Sequence, residues 1–144
     1  MCGVTDIPGL LKCMNDKMPF NGYLLSDDLV FMYVKNYCHF SKRACTRLIH
    51  SNMNNVKIID VINKGFTMPE NISIVTCSHV PDDIKKDMKE RFSSGTTVPQ
   101  IAVYKGGQWC YIGGSDAFEK VAIYPSATNQ LDKSKNNPAV ALKM

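Results

Sequence analysis

The chain has 144 residues, of which 44% are hydrophobic and 21% charged, with a formal net charge of +4. One domain with room for extensions fits that length, and the apolar share is enough to close a core. No apolar stretch approaches the ~20 residues needed to span a bilayer, and no dense run of Lys and Arg carries interleaved aromatics, so neither a membrane nor a nucleic-acid partner is expected.

In chain order, residues 1–28 mix Gly, Pro, Asn, Asp and Met around one short apolar piece, Ile7 to Leu11, and read as an N-terminal extension with a helical turn. Asp6, Asp16 and the lack of arginine there do not suit a secretory or transit segment, so a reducing, cytoplasmic setting is expected. The main domain is expected over 29–123. Leu29 to Lys35 is β-branched and aromatic, which signals a buried strand. Ser41 to about Asn52 is helical in pattern, with Ala44, Leu48 and Ile49 on one face and Arg43, Arg47 and His50 toward solvent. Val56 to Val61 reads as a second strand, and Ile72 to Thr76 as another, so the region 62–76 is either an insertion with an extra strand or one strand counted twice.

Pro81, Asp82 and Asp83 early and Lys89 and Arg91 late mark a helix over Ser78 to Phe92, with an apolar stripe of Ile84, Met88 and Phe92 and a stop at Gly95. Ile101 to Tyr104 and Trp109 to Ile112 flank Gly106-Gly107, a hairpin signal. The tip, Lys105 to Trp109, is expected to protrude beside the site. A short helix follows, Asp116 to Ile123, capped by Ser115 or Asp116. From 124 to 144 the chain is polar and reads as a flexible tail.

Cys38-His39-Phe40-Ser41 stands where the first strand gives way to a helix. The first-turn N–H groups of a helix lack intrahelical partners and favour an anion, and a thiolate is one. Lys35, Lys42 and Arg43 flank the cysteine, and nearby cations also lower a thiol pKa. The six cysteines (2, 13, 38, 45, 77 and 110) are sparse and irregularly spaced, which argues against a disulfide framework. No pair has C-x-x-C spacing, and His39, His50 and His79 form no zinc pattern with them, so no metal site is expected. Outside the motif, cysteines read as buried small hydrophobes.

The order strand, helix, strand, helix, hairpin, helix, with these motifs, resembles the glutaredoxin branch of the thioredoxin fold. Three landmarks carry the resemblance over about two-thirds of the chain: Lys35 to Ser41 as a Lys-x-Tyr-Cys-x-aromatic-Cys/Ser site, Thr97-Val98-Pro99 before the hairpin, and Gly113-Gly114-Ser115-Asp116 after it. The resemblance implies a three-layer α/β/α domain with a four-stranded mixed sheet and a cis bond before Pro99. It implies Cys38 as the catalytic thiol and glutathione as co-substrate, held by Lys35, Phe40, Val98, Pro99, Gly114, Ser115 and Asp116, with Tyr37, Ser41 and Thr97 in support. It also implies glutathionylated proteins as partners and a monomer.

The fourth motif position is serine, so Cys38 has no neighbouring thiol with which to close a short disulfide. Cys45, seven residues on, is ~10 Å away along a shared helix, beyond the ~7 Å reach of a bridge. A monothiol route follows, in which glutathione supplies the second thiol. Two other readings compete. Monothiol members of the family with C-G-F-S bridge an iron–sulfur cluster between two subunits through this cysteine; here His39 replaces the glycine. The chain can also be a redox-inactive module whose groove holds a peptide.

Overall fold

The computed structural model describes residues 6–35, 38–61, 74–77 and 79–126. Tyr37, the insertion up to residue 73 and the tail from residue 127 lie outside the described residues.

Helix α1 (Ile7–Asp16) is capped by Asp6, whose carboxylate accepts the Gly9 N–H at 3.0 Å, with Pro8 in the first turn. Strand β1 (Tyr23–Leu25) leads to β2 (Leu29–Val34), then α2 (His39–His50), β3 (Val56–Asp60) and β4 (Ile74–Thr76). Next come α3 (Asp82–Ser93), β5 (Gln100–Lys105), β6 (Gln108–Gly113), α4 (Ser115–Glu119) and β7 (Ala122–Tyr124).

Five strands form a mixed sheet in the order β4-β3-β2-β5-β6. β2 pairs parallel with β3 across the α2 crossover, and β5 and β6 are antiparallel. Both strand patterns near 56–76 are real: β4 extends the expected four strands by pairing parallel with β3. Gly106 and Gly107 make the hairpin turn at φ +65° and +81°, the left-handed pair that a two-residue turn requires.

Period-two alternation in β2 divides the core. Val30, Met32 and Val34 face Ala44, Cys45 and Leu48 of α2 and Phe118 of α4. Phe31 and Tyr33 face Leu10 and Met14 of α1 and Ile84 of α3. The result is the expected thioredoxin-like α/β/α sandwich, with α2 and α4 on one face and α1 and α3 on the other. The first apolar piece is thus a ten-residue helix that closes a layer, with Leu10, Cys13 and Met14 buried. On that side Tyr33 donates to Asp87 at 2.6 Å, and Arg91 grips the same carboxylate and reaches Asn15 of α1.

Three expectations are corrected. The last helix ends at Glu119, and Ala122–Tyr124 form a strand paired parallel with Tyr23–Leu25. β-branched and aromatic side chains with a distant partner override the local helical pattern there. Trp109 does not protrude: it is 3% exposed, packed on Phe31 under α1. The hairpin tip also lies at the far end of the sheet from Cys38, because β5 runs against β2 and Lys105 pairs with Asp28 at 2.8 Å. Finally, Cys77 is disulfide-bonded, so not every cysteine outside the motif is a reduced packing residue.

Candidate functional site

Cys38 is the N-cap of α2, with φ −81° and ψ 126°, and its carbonyl accepts the Lys42 N–H at 3.0 Å as the first helical bond. The helix begins two residues before its apolar pattern does. That shift places the thiol at the helix mouth, where the free N–H groups point. Burial works against ionisation of the Cys38 thiol. It is outweighed by hydrogen bonds from the Ser41 N–H, the Ser41 hydroxyl and the Phe40 N–H, and by the Lys35 charge, so the pKa lies below the ordinary thiol value. Of the three flanking cations, Lys35 is the one that acts on the thiol.

Ser41 is fully buried, and its Oγ also accepts the Lys35 N–H at 3.2 Å. Phe40 points outward, 49% exposed, edge-on to His39. Cys45 is 3% exposed, and burial pushes its thiol up to about 12, which leaves it neutral and enclosed.

Opposite the helix mouth, the Cys38 Sγ stands 4.0 Å from the Val98 carbonyl oxygen. The Val98-Pro99 bond is cis, and Pro99 is buried. Gly114, the N-cap of α4, backs onto this loop: a Cβ there would meet the Pro99 carbonyl at 3.6 Å. Lys35, Cys38, Val98, Pro99 and Gly114 are thereby gathered at one end of the sheet. Asp116 is exposed at the rim, and Thr97 is exposed with its carbonyl turned to Gln100. Ser115 is 5% exposed, and its Oγ has no hydrogen-bond partner among the described residues. An orphaned buried hydroxyl beside Gly114 suits a polar ligand group.

One supporting residue escapes sequence reasoning. Gln100 donates to the Thr97 carbonyl at 2.7 Å and accepts the Tyr111 hydroxyl at 2.6 Å, which ties the Val98-Pro99 loop to β6. Its one signal is a polar side chain at the head of the apolar run Ile101-Ala102-Val103. Among the described residues no group of three or more His, Cys, Asp or Glu side chains is spaced to hold a metal ion, and no helix is long and apolar enough to cross a membrane.

No protein-family model and no curated protein matches this chain. Among solved structures it is similar to the holo form of glutaredoxin C1 from Populus tremula x tremuloides, at 17% identity over 95% of this chain and 88% of that one, with a TM-score of 0.35. What the site can do therefore follows from its own geometry: an acidified thiol faces the carbonyl of Val98 in the cis-proline loop, with Lys35 and the Gly114-Ser115 turn near it.

Proposed function

We propose that the protein is a glutathione-dependent thiol–disulfide oxidoreductase working by a monothiol route. The observation that carries this reading is the Cys38 thiol at the mouth of α2, held below its ordinary pKa with a serine where a second thiol would stand. The Cys38 thiolate attacks the glutathione sulfur of a protein–glutathione disulfide. The protein thiolate leaves and takes up a proton, and a Cys38–glutathione disulfide remains. A second glutathione thiolate then attacks the glutathione sulfur of that disulfide, releasing oxidised glutathione and regenerating the Cys38 thiolate.

A thiol of pKa ~8.5 is only about 3% ionised at pH 7. Lowering the pKa raises that fraction but weakens each thiolate as a nucleophile, and the two effects nearly cancel. The net gain is in the second step, where Cys38 departs as a good leaving group. The Val98 backbone, whose carbonyl lies 4.0 Å from the Cys38 sulfur, suits pairing with an extended ligand in β fashion. Lys35 suits one carboxylate of glutathione, and the Gly114-Ser115-Asp116 turn suits the other, with Ser115 Oγ as an unused donor.

The test is reduction of a glutathione mixed disulfide, coupled to glutathione regeneration. Wild type and Cys45→Ser should turn over, and Cys38→Ser should not. Robust turnover by Cys38→Ser would remove the reading. An absorbance spectrum of the anaerobically purified protein, with a visible cluster band and a glutathione-dependent dimer, would favour cluster bridging instead.

A further inference from the structure

The outer face of α2 forms a basic groove that thiol exchange does not use. His39, Lys42, Arg43, Thr46, Arg47 and His50 line it with Glu119 of α4, around a volume of about 690 Å³. It starts at the residue after Cys38 and runs about 16 Å along the helix at ~1.5 Å per residue. α2 contains no acidic residue. Glu119 is the one carboxylate in the lining, and Arg43 takes both its oxygens at 2.7 Å. Three cations against that one carboxylate leave two positive charges in the groove.

Those two charges belong to Lys42 and Arg47, for which no described carboxylate lies within ion-pair distance. Arg47 is fixed in place: its guanidinium donates to the Phe118 carbonyl and, at 2.6 Å, to the Val121 carbonyl, and lies 5.0 Å above the Phe118 ring. Carbonyl partners orient the charge without neutralising it. Lys42 is exposed and stands near the start of α2, where the helix dipole disfavours a cation. The groove is therefore a preorganised cationic surface that begins beside the reactive thiol.

We propose that this groove docks an acidic segment of the protein whose disulfide reacts at Cys38, with carboxylates of the segment facing Lys42 and Arg47. The proposal rests on the thiol-exchange reading above and names the substrate feature that the site selects. Its length matches about five residues of extended chain at ~3.3 Å each, and its start places those residues next to the glutathionylated cysteine, whose thiolate leaves. An acidic polypeptide fits better than a nucleic acid. The lining offers no Phe, Tyr or Trp face on which a base would stack.

Two measurements on the full chain test this. The first is fluorescence anisotropy at low salt with a labelled, cysteine-free peptide rich in Asp and Glu, and with its Lys-rich counterpart. The acidic peptide should bind and the basic one should not. Lys42→Glu and, separately, Thr46→Glu should weaken binding about fivefold each, and added salt should do the same. Both positions are exposed, so the variants test charge and not folding. The second is kcat/KM for the acidic and basic peptides carrying a glutathione mixed disulfide, beside a small neutral mixed disulfide. The acidic peptide should be preferred, and each variant should lose that preference while keeping the small-molecule rate within about twofold. Equal binding of the two peptides, unchanged binding by both variants, or tighter binding of a single-stranded oligonucleotide would overturn the proposal. Acidic-peptide binding without any small-molecule turnover would overturn the thiol-exchange reading and leave the docking surface standing.

Discussion

Ser41 Oγ accepts the Lys35 N–H at 3.2 Å, so one buried hydroxyl joins the end of β2 to the first turn of α2. The same hydroxyl bonds the Cys38 thiol and helps depress its pKa. Ser41→Ala should therefore raise the midpoint of the Cys38 alkylation–pH profile toward the ordinary thiol value and slow alkylation at neutral pH. The sign follows from linkage. A thiol pKa lower in the folded than in the unfolded state adds stability above the unfolded value, and that contribution fades as pH falls through the folded one. An unchanged profile in Ser41→Ala would remove serine from the list of donors.

The other core thiols shift the opposite way. Burial pushes both Cys13 and Cys45 up to about 12. Brief iodoacetamide treatment at neutral pH should label Cys38 and spare these two, as read by peptide mass mapping. Because their folded pKa values are raised, the stability they contribute is complete below the unfolded value of ~8.5 and declines as pH rises from there toward about 12. Denaturant midpoints should fall over that alkaline window, and less so in Cys45→Ala than in wild type.

The adjacent glycines Gly113 and Gly114 should separate stability from binding. Gly113 has φ +120°, and a Cβ on it would stand 3.1 Å from Ala117 Cβ. Gly113→Ala should cost about 1–3 kcal/mol in chemical denaturation. Gly114 has ordinary backbone angles and meets Pro99 only at van der Waals distance, so Gly114→Ala should change stability by less than about 0.5 kcal/mol. Its methyl group would nevertheless stand at the turn proposed above to receive a glutathione carboxylate. A several-fold rise in KM for the mixed disulfide is expected, and an unaltered KM would move that carboxylate elsewhere.

On the opposite face of the sheet, Tyr33 OH and Asp87 make a 2.6 Å bond, with Arg91 closing the buried triad. Tyr33→Phe should cost about 1–3 kcal/mol. Asp87→Ala, which strands a buried guanidinium and a buried hydroxyl together, should cost about 3–5 kcal/mol. Urea titrations of the two variants check the order, and a smaller loss for Asp87→Ala would contradict it.

That triad also shows where sequence reading stops. The stripe Ile84-Met88-Phe92 is visible as a period, and its residues do face the core. Asp87 lies beside it and carries no local sign that it will be buried against a tyrosine 54 residues earlier. The landmarks around Cys38 are legible because each is a short contiguous run: the helix start and the paired glycines carry local signals, and the cis bond before Pro99 follows from the resemblance alone. Trp109 and Ala122–Tyr124 were misplaced for the converse reason. The burial of the first depends on α1, and the strand formed by the second depends on Tyr23–Leu25. Periodicity within a window reports neither.

The pairing of Tyr23–Leu25 with Ala122–Tyr124, secured by the Ser26 N–H to the Tyr124 carbonyl and the Ser126 N–H to Ser26 Oγ, joins opposite ends of the described chain. Contacts so distant in sequence carry a high closure cost and cannot precede synthesis of the later partner. On the ribosome, the β2–α2–β3 unit that bears Cys38 can therefore assemble while β1 still waits for β7. A free chain truncated after residue 121 should be cleaved by protease around Tyr23–Leu25 while α2, which keeps Ile101, Val103 and Phe118 against it, stays protected. The β1–β7 pairing thus closes the domain last, after the unit that carries Cys38 has its own partners.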